Sequence, residues 1–258
     1  MPYAIENKKG LSASTMKILA CIFMLIDHAG LLLFPRLLVL RAIGRLAFPI
    51  FAYFIAEGCH YTRHRLKHFL LVFGSGVLCF IFYYFYEGVA YGNIFLTFSV
   101  SILMIYLLDY CKKLAFGDFK AYKLILAALI YIAAIVAVRI VTKVFKFDYG
   151  FVGIMIPPFV SLFDFGDLKA PKLFRELDRP IVRLIMLLIG LLPLCIGNVH
   201  GKLNIFGMMI PVQWFCLFSL PIIAFYSGKP GIRQLKYAFY AFYPLHLLIL
   251  VLIGMLIK

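Results

Sequence analysis

An all-α, polytopic membrane bundle is the fold class this chain predicts, and three observations predict it. The 258 residues are 64% hydrophobic and only 14% charged, whereas soluble domains are about half apolar and about a quarter charged. The mean hydropathy is +1.00, and at ~20 residues per crossing the apolar runs use up the chain in about nine helices. Lys and Arg alternate loop by loop. With the N-terminus inside, eighteen of the 26 fall on cytoplasmic segments and five on the outer side, the positive-inside pattern. The prediction is a single membrane domain over 1–258, N-terminus in and C-terminus out, with no separate soluble domain.

The elements follow in order. Residues 1–15 are polar and cytoplasmic and show no signal-peptide cleavage pattern before the first span, 16–34. The tight Phe34-Pro35-Arg36 turn makes the second span, 37–58, its neighbour. Spans at 69–86, 93–111 and 122–145 follow. The sixth, 150–164, is short and carries Pro157-Pro158, so it is expected to kink or re-enter. It is kept because the charge alternation needs it. The polar loop 165–180 leads to 181–197. The eighth span, 204–226, is expected to bend at Pro211 and Pro221, and the ninth is 237–257.

The net charge of +15 would fit a nucleic-acid partner in a soluble protein. Here it follows from topology, and no nucleic acid is expected. The six cysteines are scattered through apolar runs without a C-x-x-C pattern and read as small buried hydrophobes. No Walker loop, Rossmann fingerprint, H-E-x-x-H or G-x-S-x-G is present, which argues against ATPases, dehydrogenases, zincins and soluble-type hydrolases.

Ionisable side chains inside the spans single out the site. Asp27 and His28 lie ~17 Å in from the cytoplasmic end, Arg45 ~12 Å below the outer surface and His246 ~14 Å deep, at ~1.5 Å per residue in a ~30 Å core. Such groups are costly at that depth and usually face the interior of the bundle. One reading makes His28 a general base tuned by Asp27, with Arg45 holding the carboxylate or stabilising an oxyanion. The other is an Asp–Arg ion pair that ties two helices together. Further along, His60, His64 and His68 recur every fourth residue, a spacing that could hold zinc. Arg63, Arg65 and Lys67 crowd the same stretch, so no metal is expected. These cations read either as a mouth for a polyanionic donor such as an acyl-CoA or as ordinary positive-inside charge. Asn93 and Thr97 share a helical face, where they bind an acceptor or cap the helix. Asp148 reads as a helix cap, and Asn198 and His200 as exposed loop residues.

These stretches resemble the TraX family of bacterial inner-membrane proteins. The resemblance rests on I-D-H-A-G (26–30), G-R-L-A-F-P-I-F-A (44–52), E-G (57–58), T-R (62–63), N-x-x-x-T-F (93–98), D-Y-G (148–150) and F-Y-P-L-H-L-L-I-L (242–250). It implies acetylation of a pilin N-terminal amine with acetyl-CoA as donor. The chain is also similar to the wider OafA-like membrane acyltransferases, which pair a membrane-embedded His with arginines near acyl-CoA. Here Arg41-x-x-x-Arg45 departs from their closer R-x-x-R spacing. Carried over by position, His28 and Arg45 match best, with Asp27 and Glu57 next, and His246 also matches the motif. Together with the reading of the residues themselves, this makes His28, Asp27 and Arg45 catalytic and places Arg41, Arg63, Arg65 and Lys67 on the donor. Glu57, His60, Asn93, Thr97, Tyr243 and His246 fall to the substrate.

The resulting expectation is a multi-pass acyltransferase of the bacterial inner membrane, using acyl-CoA as co-substrate. The acceptor stays open among a pilin-like peptide, a glycan, a lipid headgroup and a small molecule, and oligomeric state is not read. The alternative is a proton-coupled transporter or flippase with Asp27, His28 and His246 as a relay.

Overall fold

The computed structural model describes residues 10–257 except 89, 118, 119, 167, 169, 170, 198–200, 233 and 234. Asn198 and His200 therefore lie outside the described residues. Helix α1 (Ala13–Leu32) starts where Ser12 accepts a hydrogen bond from Thr15 N at 3.3 Å, as an N-cap serine should. After the turn come α2 (Leu38–Gly44) and α3 (Ala47–Tyr61), which together make the expected second span with a break at Arg45-Leu46. Helix α4 (Arg65–Glu87) ends at Gly88, whose φ of 70° supplies the left-handed cap that glycine adopts without strain. Helices α5 (Ile94–Phe116), α6 (Ala121–Val144), α7 (Gly150–Val160), α8 (Lys172–Glu176) and α9 (Pro180–Gly197) follow. A hairpin of β1 (Lys202–Ile205) and β2 (Met208–Pro211) then leads into a 3₁₀ helix (Val212–Phe218), α10 (Ser219–Ala224) and α11 (Leu235–Ile257).

Seven helices among the described residues are long and apolar enough to cross a membrane. The other two expected spans are short. The sixth is the 11-residue α7. The eighth is not one helix, because its first third is the hairpin. Phe206 and Gly207, with φ of 50° and 84°, form its two-residue turn, and two positive φ values suit the twist of a hairpin.

Helices gather into two compact units, residues 1–54 with 191–258, and residues 55–190. Both boundaries fall inside helices, α3 and α9, rather than in a linker. In the first unit, α1 packs against α2 and α11. Glycine makes the first contact possible. A Cβ on Gly44 would overlap Asp27, and one on Gly30 would lie 2.8 Å from Leu40 Cβ. Small residues let helix backbones approach this closely in a membrane. The segment from the 3₁₀ helix to α10 begins where Gly201 O accepts from Val212 N and Gly201 lies against Leu38. It ends where Tyr226 pairs with Leu11, just before α1. This short segment thus covers the same depth as α1.

In the second unit α7 runs beside α5 in the same direction. Thr97 Oγ1 donates to Asp148 O, Ser101 Oγ to Ile154 O, and Lys112 Nζ to Ser161 O and Asp164 O. Residues 148–164 therefore track α5 from its first turn to its last, ~22 Å between Thr97 and Lys112 at 1.5 Å per residue. The prolines explain one of these bonds. Pro158 has no N–H for Ile154 O four residues back, and Ser101 Oγ supplies the missing donor at 2.8 Å. Ser101→Ala is therefore expected to leave a buried carbonyl unsatisfied and to cost about 1–3 kcal/mol. Reversible unfolding in detergent micelles measures this, and an unchanged midpoint would contradict it.

Candidate functional site

Asp27 and His28 are adjacent on α1, so their side chains diverge by ~100°. Each serves a different neighbouring helix. Asp27 faces α2. Arg41 Nη1 donates to Asp27 Oδ2 at 2.7 Å and to its backbone oxygen at 3.0 Å, while Arg45 Nη2 lies 3.0 Å from both carboxylate oxygens. The two arginines are four apart and reach one carboxylate from one helix face. Their spacing is that of a clamp. One carboxylate between two guanidiniums gives this trio a net positive charge, at side-chain exposures of 11–20%.

His28 faces α11. Its Nδ1 lies 3.0 Å from Met24 O and 3.0 Å from His246 Nε2, and His246 Nδ1 lies 2.8 Å from Phe242 O. A carbonyl only accepts, so His246 Nδ1 carries its hydrogen and, in the neutral ring, Nε2 offers a lone pair. His28 Nδ1 faces two acceptors and must carry hydrogen as well. The lone pair of neutral His28 therefore sits on Nε2, where no described residue forms a hydrogen bond. Tyr243 sets its ring edge-on to both imidazoles, with centroids 6.0 Å and 5.5 Å away. The partner orienting His28 is thus His246. Asp27, expected to tune His28, makes its hydrogen bonds to the arginines instead, because neighbouring residues on a helix point apart.

The second unit holds a separate charged group. Arg183, one turn into α9, donates to Glu57 Oε2 at 3.0 Å and lies 3.3 Å from Asp164 Oδ2 and 3.6 Å from Asp178 Oδ1. His60 Nδ1 meets Asp164 Oδ2 at 2.7 Å, and Asp178 Oδ2 accepts from Phe165 N. Glu57 and His60, expected at the substrate, here tie α3 to α9 and the loop after α7.

A profile of the TraX protein family matches residues 12–254. The chain belongs to the TraX family. It is 26% identical over 247 residues to the "Probable fimbrial assembly protein FimC" of Dichelobacter nodosus, covering 93% of this chain and 94% of that one. It is also 46% identical over 50 residues to an uncharacterised protein of Rickettsia prowazekii, a match spanning only a fifth of that protein's length. No solved structure matches.

In this TraX-family fold the remaining expected residues separate. Arg63 and Lys67 are exposed on either side of the α4 start. Arg65 pairs with Asp109 and lies over the Tyr106 ring, and Arg41 belongs to the Asp27 clamp. The row of histidines is broken, because α3 stops at Tyr61 and α4 starts at Arg65. His60 turns to Asp164, His64 is exposed, and His68 is buried against Tyr106 OH at 3.1 Å. Among the described residues no group of three or more His, Cys, Asp or Glu is arranged to hold a metal. Asn93 is the N-cap of α5, accepting from Phe95 N and Leu96 N and donating to Gly76 O, and Thr97 docks α7. Asp148 takes the Tyr91 hydroxyl rather than capping α7, whose cap position is Tyr149. Sequence reasoning missed Asp164, Asp178 and Asp109 as partners and read Lys112 and Arg183 as topological charge only. Arg183 inside an apolar helix was the available signal.

Proposed function

We propose that this TraX-family protein is an acyltransferase of the bacterial cytoplasmic membrane. It moves an acetyl or other short acyl group from acyl-CoA to an amine, with the N-terminal amine of a pilin-like peptide as acceptor. The observation that carries the reading is the His28–His246 pair, which leaves His28 Nε2 as a held lone pair on the helix whose Asp27 pairs with Arg41 and Arg45 of the neighbouring α2 segment. The fimbrial assembly description of the Dichelobacter relative supports a pilin acceptor. The depth covered by α7 and by the 3₁₀–α10 segment supports nine crossings, and the Lys and Arg pattern supports the N-terminus inside.

In this mechanism His28 Nε2 takes a proton from the acceptor nitrogen as that nitrogen attacks the thioester carbonyl carbon. The C–N bond forms and the carbonyl oxygen becomes an oxyanion, stabilised by the net positive trio. The imidazolium formed on His28 is held by the Nδ1–H bond to His246 Nε2. Collapse reforms the carbonyl and breaks the C–S bond, and the departing CoA thiolate takes the proton from His28. The second-unit network is structural in this account.

The test uses the purified protein in liposomes with radiolabelled acetyl-CoA and a pilin-like peptide bearing a free N-terminal amine. Label in the peptide is the expected result. Proton-coupled flux without any acyl donor, and no label in any amine or hydroxyl acceptor, would replace this reading with the transporter.

A further inference from the structure

The β1–β2 hairpin is amphipathic. Leu203 stands opposite Ile210 and Ile205 opposite Met208. Opposed residues share a face of a ribbon and successive ones alternate, so these four make one face, wholly apolar. Lys202 and Asn204 fall on the other face, with Met209 opposite Asn204. The tip is bare. Phe206 is 99% exposed, Met208 62% and Met209 61%, and residues 203–211 hold no charge. An apolar patch and open strand edges standing in water invite aggregation, so the patch calls for a cover.

The place of the hairpin says what the cover is. Its base closes where Val212 N donates to Gly201 O, and Gly201 lies against Leu38, the first residue of α2. Leu37 and Val39 on either side are exposed, and exposed apolar side chains on a membrane-spanning segment face lipid. The apolar face of the hairpin continues that surface. Lys202 is exposed at the base, and its cation suits a headgroup phosphate while its stem lies along apolar surface. Depth follows from the backbone. A two-stranded ribbon keeps two outer edges of N–H and C=O groups, which the hydrocarbon core excludes and the hydrated interface satisfies. We propose that the 202–211 hairpin is an interfacial anchor lying in the plane of the membrane, with its apolar face and Phe206 among phospholipid acyl chains and Lys202 on a headgroup phosphate. The anchor holds the start of the 3₁₀ helix at the membrane surface where α2 begins.

Trp214 is the single tryptophan of the chain. Trp214→Phe therefore gives a background into which Phe206→Trp, Met208→Trp or Met209→Trp places one fluorophore. Each full-length variant is reconstituted in vesicles of phosphatidylcholine and phosphatidylglycerol. The probes at 206 and 208 are expected to emit further to the blue than tryptophan in water. They should lose emission to lipids brominated on the acyl chains, with little loss to iodide in the water. The probe at 209, on the other face, should be more open to iodide and less to the bromines. Adding Lys202→Glu is expected to weaken bromine quenching at 206, because the phosphate then meets a like charge; unchanged quenching would contradict the headgroup pairing. Iodide quenching of equal strength at all three positions would put the hairpin in water and overturn the anchor. Blue emission that neither quencher reaches would also overturn it, since a second copy or another protein then covers the patch. Side chains this exposed tolerate replacement, and three separate probes keep the test standing if one variant fails to fold.

Discussion

His28→Ala is expected to lower acyl transfer from acetyl-CoA by about 10²–10⁴-fold, the range a positioned acid–base group supplies, while the protein still inserts and folds. The residue has no ionic role in the helix contacts. Its ring bonds are to Met24 O and His246 Nε2, and neither partner is left as an unpaired buried charge when the ring goes. His28→Gln restores a polar side chain without a usable base and is expected to be equally inactive. Transfer at the parental rate in either variant would remove His28 from the chemistry.

Asp27→Ala is expected to act on the fold first. The carboxylate is the shared partner of Arg41 and Arg45, and removing it sets two guanidiniums against each other at membrane depth. Breaking a buried pair by deleting one partner costs about 3–5 kcal/mol, so most of the protein should fail to accumulate folded. Replacing all three residues by apolar ones of similar size (Asp27→Leu, Arg41→Met, Arg45→Met) removes the mutual dependence and should recover much of the folded yield. Transfer should not recover with it, because the positive charge opposite the oxyanion is gone. Yield and activity of the two variants, measured side by side, separate the trio's structural part from its catalytic part. An active triple variant would leave the trio with packing alone.

Much of this was legible in the chain. The Asp27–Arg45 pairing could be anticipated from depth and the short Phe34-Pro35-Arg36 turn, since a tight turn forces neighbours. The meeting of His28 with His246 could not, because equal depth on two distant spans says nothing of which helices touch. The hairpin was hidden for a different reason. Residues 203–211 are as apolar as a helix, and hydropathy reports partition into lipid, not backbone conformation. The positive φ values at Phe206 and Gly207 come from the Asn204–Gly207 turn, where Asn204 Oδ1 accepts from Gly207 N at 2.9 Å. Lys112 and Arg183 were visible only as cytoplasmic charges. Their partners are the carbonyls of a proline-disturbed helix end for one and, for the other, the Glu57 carboxylate on a distant helix, and charge counting by loop cannot see them.

The dyad itself is tested most directly by a double-mutant cycle on transfer from labelled acetyl-CoA. Its four proteins are the parent, His28→Ala, His246→Ala and the pair. If His246 acts by holding His28 Nδ1–H and the imidazolium formed during transfer, its loss lowers kcat in the parent. In the His28→Ala background the same change costs nothing further. Independent, multiplying losses, or a fully active His28→Ala protein, would contradict the account.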